Sequence, residues 1–199
     1  MPESQREAVA VAELYGGEWL TEAQATEAAL RQRLGRADVI HLATHGYFYP
    51  ARAMSSGLLL TAPAVEPAVG ETANDGFLQA WEIHSQLQLQ AELVVLSACE
   101  TGRGQTVRGE GLIGLVRAWQ YAGARSVVAS QWRVTDRSTR KLMVAFHQSL
   151  RQGLAKDEAL RRAMAQVRQN KTTAHPYHWA AFVLFGDPQN SNLQQGNDP

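Results

Sequence analysis

The sequence predicts an α/β fold built around a buried parallel sheet, and two observations support this prediction. Segments with the apolar spacing of helices alternate along the chain with short apolar runs of strand length, which is the order of elements in α/β domains. The runs at 39–43 and 93–97 each stop at a reactive residue close to a glycine, as happens where a buried parallel strand ends at a functional site.

Five segments have the apolar periodicity of helices. The first ends at Gly16 and Gly17, which suit a helix C-cap, and the fourth can be capped by Thr135 or Asp136. The helical segments are the residues up to Tyr15, residues 26–34, the stretch from Leu112 to Trp119, the stretch buried through Leu142, Phe146 and Leu150, and the stretch that begins at Asp157.

Further strands are predicted at Ser126–Ser130 and at 179–185. The first of them follows a helix that closes at Gly123, so this part of the chain is expected to form a strand-helix-strand crossover. Between the two apolar runs, the Asp75-Gly76 turn signal follows the Leu58-Leu59-Leu60 triplet and precedes Phe77. A β-hairpin next to the first run is therefore expected.

One domain over residues 1–188 is expected, because 199 residues with 45% hydrophobic content suffice for one core. The Gln- and Asn-rich residues 189–199 are expected to be disordered. The 19 basic and 19 acidic residues balance, so charge favours neither nucleic acid nor a membrane as a partner. The start of the chain lacks the apolar core of a secretion signal and no apolar stretch reaches bilayer length, so a cytoplasmic location is expected.

Two of the predicted strands end at residues that carry chemistry. His45 follows the run at 39–43, and Cys99 follows the run at 93–97. Because the carboxyl ends of neighbouring parallel strands share one edge of a sheet, the fold can bring these residues together. A thiol beside an imidazole ionises readily, so Cys99 is the predicted nucleophile and His45 the predicted base. The N–H groups of Gly46 and Cys99 are the predicted donors to the oxyanion.

Both residues also have a structural interpretation. The single cysteine cannot form an internal disulfide, and a cysteine at the end of a buried strand is most often a small core residue. An isolated histidine such as His45 is most often a hydrogen-bonded structural residue. The placement of the two residues at matching strand ends favours the catalytic interpretation.

Other candidate sites have less support. His41 lies within a strand and is expected to be structural. His175 and His178 flank Pro176 in a predicted loop without a third ligand nearby, so no metal site is expected. The run at 109–114 matches the G-x-G-x-x-G dinucleotide pattern, but no strand leads directly into it. Its glycines are assigned to loop flexibility and helix packing, and no cofactor is predicted.

Several short motifs occur in a fixed order along nearly the whole chain. They are HLATHG at 41–46, Ser55 with Gly57 to Leu60, LSACETG at 96–102, GEG at 109–111, Gln131 and Trp132 with Asp136, and Trp179 to Phe182 before Gly186-Asp187-Pro188. Taken together, these motifs resemble the CHAT family of caspase-like cysteine peptidases, whose relatives include separase and the gingipains, and their order makes the resemblance specific.

The resemblance implies a caspase-like three-layer sandwich, with a mostly parallel central sheet and helices on both faces, and a dyad of His45 and Cys99. Such domains commonly lie beside tetratricopeptide or other repeats and are activated by a partner. The implied partners are a protein substrate and a regulatory repeat domain or activating protein. This sequence contains no such repeat. The first strand of the fold normally precedes the opening helix, so we expect it either on a preceding segment or missing.

The resemblance also implies a substrate-binding position. In separase-like relatives an acidic side chain after the Trp-containing strand receives the basic residue that precedes the cut. Asp136 is the similar position here, reached through Trp132, although it is equally well placed as an N-cap or first-turn residue of a helix. Glu100 and Glu110 are the alternatives, because either can orient a substrate or order the glycine-rich loop.

These observations support three hypotheses for the function. The leading hypothesis is a cysteine endopeptidase that cuts after Arg or Lys. The second is a latent or non-catalytic interaction module, in which the segment 101–111 never orders around a substrate. The third, nucleotide binding by the glycine-rich segment, ranks last.

Overall fold

The computed structural model describes residues 3–49, 51–64, 74–97 and 110–190, and the main chain alone of residues 99–100. Residues 101–109 of the predicted glycine-rich loop and residues 191–199 of the predicted disordered tail lie outside the described residues. The helices are α1 (Glu3–Tyr15), α2 (Glu27–Leu34), α3 (Ala80–Gln86), α4 (Glu110–Tyr121), α5 (Asp136–Arg151) and α6 (Lys156–Gln169). The strands are β1 (Val39–Leu42), β2 (His45–Tyr47), β3 (Gly57–Leu59), β4 (Phe77–Gln79), β5 (Leu93–Leu96), β6 (Cys99–Glu100), β7 (Ser126–Ser130) and β8 (Phe182–Gly186).

The central sheet has the strand order β1-β5-β7-β8. β1, β5 and β7 are parallel, with Val39 opposite Leu93 and Val94 opposite Val127. β8 is antiparallel to β7. The prediction of a mostly parallel sheet is confirmed, and β5, α4 and β7 form the expected crossover.

The last strand begins later than predicted. The sequence predicts a strand at 179–185, whereas β8 runs over Phe182–Gly186 and Pro176–His178 form a 3₁₀ turn. Pro176 takes the start of this turn, where its missing N–H costs nothing. Its carbonyl accepts a hydrogen bond of 3.1 Å from the N–H of Trp179. This bond keeps Trp179 in the turn and out of the sheet.

Helices cover both faces of the central sheet. Val94 and Leu96 of β5 pack with α2, α3 and α4, whereas Leu93 and Val95 pack with α5 and α6. Successive side chains of a strand point to opposite faces, and all four are buried, which explains why this run is apolar without alternation. Each contributes about 1.5–3 kcal/mol relative to an exposed side chain. The predicted three-layer sandwich is confirmed.

A second sheet lies beyond the carboxyl ends of β1 and β5. Its order is β4-β3-β2-β6, with β3 antiparallel to both of its neighbours and β2 parallel to β6. β3 and β4 are the antiparallel pair that the hairpin signal predicts. Gly76 is required at its turn, because φ is +93° there and a Cβ atom would lie 2.9 Å from the Cα of Ala62.

Four polar side chains form a buried chain of hydrogen bonds between α1, β1 and α5, here called the Tyr15–Glu7 network. Tyr15 Oη lies 2.9 Å from His147 Nδ1, His147 Nε2 lies 3.1 Å from His41 Nδ1, and His41 Nε2 lies 2.9 Å from Glu7 Oε1. Burial, together with the nearby His41, holds the pKa of His147 well below its usual value, and burial raises the pKa of Tyr15. These contacts agree with the interpretation of His41 as a structural residue.

A buried ion pair closes the opposite end of the central sheet. Lys156 is fully buried, and its Nζ lies 2.5 Å from Glu92 Oε1. The same Nζ donates to the carbonyls of Asp187 and Gln189, at 3.2 and 2.6 Å. Because a buried ammonium needs several acceptors, these bonds fix the chain that follows β8. Within the described ranges, no helix is both long enough and apolar enough to cross a membrane.

Candidate active site

The main chain places the two predicted dyad residues side by side. β1 and β5 are parallel neighbours, so the segments that leave their carboxyl ends run in the same direction along one edge of the sheet. These segments pair again as β2 and β6, with His45 opposite Cys99 and Gly46 opposite Glu100. Since paired strands lie about 4.8 Å apart, this register brings the backbones of His45 and Cys99 into contact.

His45 is held by its main chain, whereas its ring is exposed. On the side away from β6, β2 pairs with β3, and His45 lies opposite Leu59. Thr44 Oγ1 donates a hydrogen bond to the carbonyl of Leu59, which fixes the chain between β1 and β2. The ring of His45 forms no hydrogen bond with another described residue. The ring can therefore be reached from solvent.

Two glycines pack the start of α4 against the chain that follows β2. A Cβ atom on Gly111 would lie 3.1 Å from Phe48 Cβ and 3.2 Å from the N atom of Tyr49. A Cβ atom on Gly114 would lie 2.7 Å from Ala53 Cβ. The helix-packing assignment is therefore confirmed for these two glycines, while Gly109, the first glycine of the G-x-G-x-x-G match, lies outside the described residues.

This packing also positions Gly111, where the chain has reached α4 after the predicted nucleophile. Directly after that nucleophile, Glu100 pairs with Gly46 of β2. Within α4, Gly111 lies against Phe48 and Tyr49, which follow β2 along the chain. Glu100 therefore lies beside β2, and Gly111 lies beside the residues that directly follow β2.

Trp132 and Asp136 belong to a segment that leaves the central sheet at this same edge. β7 is parallel to β5, so its last residue, Ser130, lies beside the carboxyl end of β5. Trp132 is half-buried against the core under α5, and Asp136 is the exposed first residue of α5, with Thr135 as the N-cap. The Asp136 carboxylate is open to solvent and also suits the helix dipole, so both interpretations of this residue fit its position.

The 3₁₀ turn at Pro176–His178, in a stretch predicted to be a loop without a metal site, also reaches this edge. β8 is antiparallel to β7, with Phe182 opposite Ser130, so the residues before β8 lie beside the residues after β7. Trp132 Nε1 donates to the carbonyl of Tyr177 at 3.1 Å. Pro176 is a local signal for the turn, but no local pattern predicts a contact with residues so distant along the chain.

The described residues hold no group of three His, Cys, Asp or Glu side chains that could bind a metal ion. The residue types at this edge are ones that can support acyl transfer by a thiol. The edge combines a backbone pairing of a histidine with a cysteine, a glycine next to the histidine, and an exposed carboxylate after the next strand.

Comparison with known proteins agrees with this fold. The family model described as "CHAT domain" matches residues 1–187. The chain is 32% identical over 212 residues to human tetratricopeptide repeat protein 28 and 29% identical over 215 residues to the mouse protein of the same name. Each match covers 94% of this chain and 8% of the relative, so the chain spans a small part of the length of these relatives. The family match over nearly the whole chain and the caspase-like three-layer sandwich show that this chain belongs to the CHAT domain family.

Proposed function

We propose that this domain is a cysteine endopeptidase whose dyad is His45 and Cys99. The observation that carries the proposal is the parallel pairing of β2 and β6, in which these two residues are direct partners. The exposed ring of His45 and membership of a caspase-like family support it. A reducing compartment such as the cytoplasm suits this function, because the single cysteine stays a thiol there.

In the proposed reaction, His45 accepts the thiol proton and Cys99 Sγ attacks the carbonyl carbon of the peptide bond. The N–H groups of Gly46 and Cys99 donate to the oxyanion that forms. His45 then gives its proton to the leaving amine as the C–N bond breaks, which leaves a thioester on Cys99. A water molecule, deprotonated by His45, hydrolyses the thioester and restores the thiol.

We assign the choice of substrate to Asp136. Its exposed carboxylate lies on the segment that follows β7, the neighbour of β5 in the central sheet. A carboxylate at this edge selects an Arg or Lys side chain through a charge-assisted hydrogen bond. Trp132 and Glu100 contribute to the same surface in this proposal.

Regulation by a repeat-containing region is part of the proposal. The relatives that match this chain are named tetratricopeptide repeat proteins and are far longer than the chain. Repeats of this kind form extended surfaces that bind other segments of polypeptide. We therefore expect such a region to control when substrates reach Cys99.

A second candidate, a non-catalytic interaction module, is favoured by one observation. No described residue orients the ring of His45, whereas a catalytic histidine is commonly oriented by a third group. In this alternative the carboxyl edge of the sheet binds a polypeptide without cutting it.

Cleavage of peptides that differ only in the residue before the cut tests the proposal. We expect cleavage after Arg and Lys, and none by Cys99→Ala. Asp136→Asn should lower the preference for Arg over Gln by about tenfold, because it removes one charge-assisted hydrogen bond. Asp157→Asn, at an exposed first-turn position of α6, is the matched control and should keep the preference. Full cleavage by a folded Cys99→Ala variant would exclude the dyad, and binding of Arg peptides without cleavage would favour the interaction module.

A further inference from the structure

The 3₁₀ turn at Pro176–His178 makes side-chain contacts with both ends of the segment that carries Trp132 and Asp136. At one end, Trp132 Nε1 donates to the carbonyl of Tyr177 at 3.1 Å. At the other end, His178 Nδ1 lies 3.2 Å from the Oγ of Ser138, in the first turn of α5. The position of this segment therefore depends on a turn that is distant from it in the sequence.

Ser138 connects His178 to the start of α5. Its side chain is buried, at 1% exposure, and its Oγ lies 2.5 Å from Thr135 Oγ1 and 3.0 Å from the Thr135 carbonyl. The N–H groups of Ser138 and Thr139 both donate to that carbonyl at 3.0 Å. Asp136 lies between Thr135 and Ser138 in the chain, so these bonds fix the main chain that carries its carboxylate.

The contact between His178 and Ser138 can be satisfied in either protonation state of the ring. With Nδ1 unprotonated, Ser138 donates to the ring while Thr135 donates to Ser138. With Nδ1 protonated, the ring donates to Ser138, which then donates to the carbonyl of Thr135. The contact can therefore hold Ser138 in the same position with either arrangement of the proton.

The turn is itself anchored on both sides. The Nδ1 atom of His175 accepts a hydrogen bond of 3.2 Å from the N–H of Tyr177, which caps the start of the turn. After the turn, the Ala181 carbonyl accepts a hydrogen bond of 2.8 Å from the N–H of Gln131, next to Trp132. A turn held in this way can transmit its position to the side chains that contact it.

We propose that His178 is a positioning residue for substrate selection: through Ser138 it holds the first turn of α5 so that Asp136 meets the basic side chain of the substrate. This inference rests on the proposed function, because it assigns His178 a role only through Asp136. His178 does not touch the reacting atoms. Its loss should therefore change the choice of substrate and leave the reactivity of the thiol unchanged.

Two variants and one control test this inference. His178→Ala removes the contact, and His178→Asn keeps a polar atom near the position of Nδ1. His84→Ala is the control, because His84 is an exposed histidine on α3, stacked on Tyr121. For each protein we would measure Cys99 labelling by peptide electrophiles that end in Arg or Gln, labelling by iodoacetamide, and amide hydrogen exchange at Ser138 and Thr139.

We expect His178→Ala to lower the Arg-over-Gln labelling preference about fivefold, the effect of one lost hydrogen bond, and to speed exchange at Ser138 and Thr139 by a similar factor. His178→Asn should restore most of the preference, and iodoacetamide labelling should not change. Unchanged exchange in His178→Ala overturns the inference, whatever the labelling shows. Faster exchange with an unchanged Arg preference also overturns it. Faster exchange in a chain whose Cys99 ignores every peptide electrophile would support the contact and contradict the proposed peptidase function.

Discussion

The two histidines of the HLATHG motif lie in opposite environments. His41, in β1, has a side chain that is 6% exposed, and both of its ring nitrogens are hydrogen-bonded, to His147 and Glu7. His45, in β2, is exposed and forms no hydrogen bond through its ring with another described residue. One short motif thus supplies a residue that joins α1 to the sheet and a residue whose ring is exposed.

The difference arises where the central sheet gives way to the second sheet. β1 lies between two helical layers, so a polar side chain on it must find partners inside the protein. β2 lies past the end of β1, where the His45 side chain is open to solvent. Because His41 and its partners are buried, they are important for stability. Because His45 is exposed, its proposed role depends on Cys99, its partner on β6.

The largest expected effect is on the free energy of unfolding, and it comes from the buried network that contains His41. His147→Ala leaves the Tyr15 hydroxyl and His41 Nδ1 buried without their partner, so we expect a loss of about 3 kcal/mol in the free energy of unfolding. Urea unfolding measures it, with His84→Ala as a control that should stay within about 0.5 kcal/mol of the parent. A loss as small as that of the control would mean that the network does not hold α1 to the sheet.

A smaller effect on the free energy of unfolding is expected when the pH changes. The pKa of His147 is lowered from 6.5, so the unfolded chain takes up protons first and stability is lost as pH falls below 6.5. The pKa of Tyr15 is raised from 10.0, so the unfolded chain releases its proton first and stability is lost as pH rises above 10.0. Each slope is at most about 1.4 kcal/mol per pH unit.

Comparison with a variant separates the contribution of His147 to the loss of stability below pH 6.5 from the contributions of other titrating groups. Glu7 forms one end of the network, and the Arg151 guanidinium lies 5.5 Å from the centre of the Tyr15 ring at the other end. His147→Gln removes the titrating ring, and we expect its stability to fall less steeply than that of the parent below pH 6.5. Parallel curves for the two proteins would contradict the role of His147.

The smallest effect on stability is expected at His45. Because its side chain is exposed and unbonded within the described residues, His45→Ala should change the free energy of unfolding by less than about 0.5 kcal/mol. The same urea series as for His147→Ala measures this. A loss of several kcal/mol would give His45 the structural role here assigned to His41.

Local patterns predicted much of the fold. The run at 93–97 predicted β5 because a strand buried on both faces is apolar throughout. The helical segment at 26–34 predicted α2, and the structure adds that the Thr26 side chain caps it by accepting a hydrogen bond from the N–H of Ala29. Gly76 predicted the turn before β4 because only glycine tolerates the conformation there. In each case the signal and the structure lie within a few residues of each other.

Contacts between distant segments could not be predicted from such local patterns. The strand ends of β1 and β5 predicted that His45 and Cys99 share an edge, but their direct pairing depends on a register set by the whole sheet. The network through His147 depends on α1 and α5 meeting over β1, and the bond from His178 to Ser138 depends on β8 lying beside β7. The identity of these partners was therefore not visible in the sequence.

The most direct test of the dyad is the rate at which an Arg-ended peptide electrophile labels Cys99, measured by mass spectrometry in the parent chain and in His45→Ala. We expect fast labelling in the parent and a large fall in His45→Ala, while iodoacetamide still reaches Cys99 in both folded proteins. Equal, slow labelling of the two proteins, no faster than that of a free thiol, would contradict the claim that His45 activates Cys99.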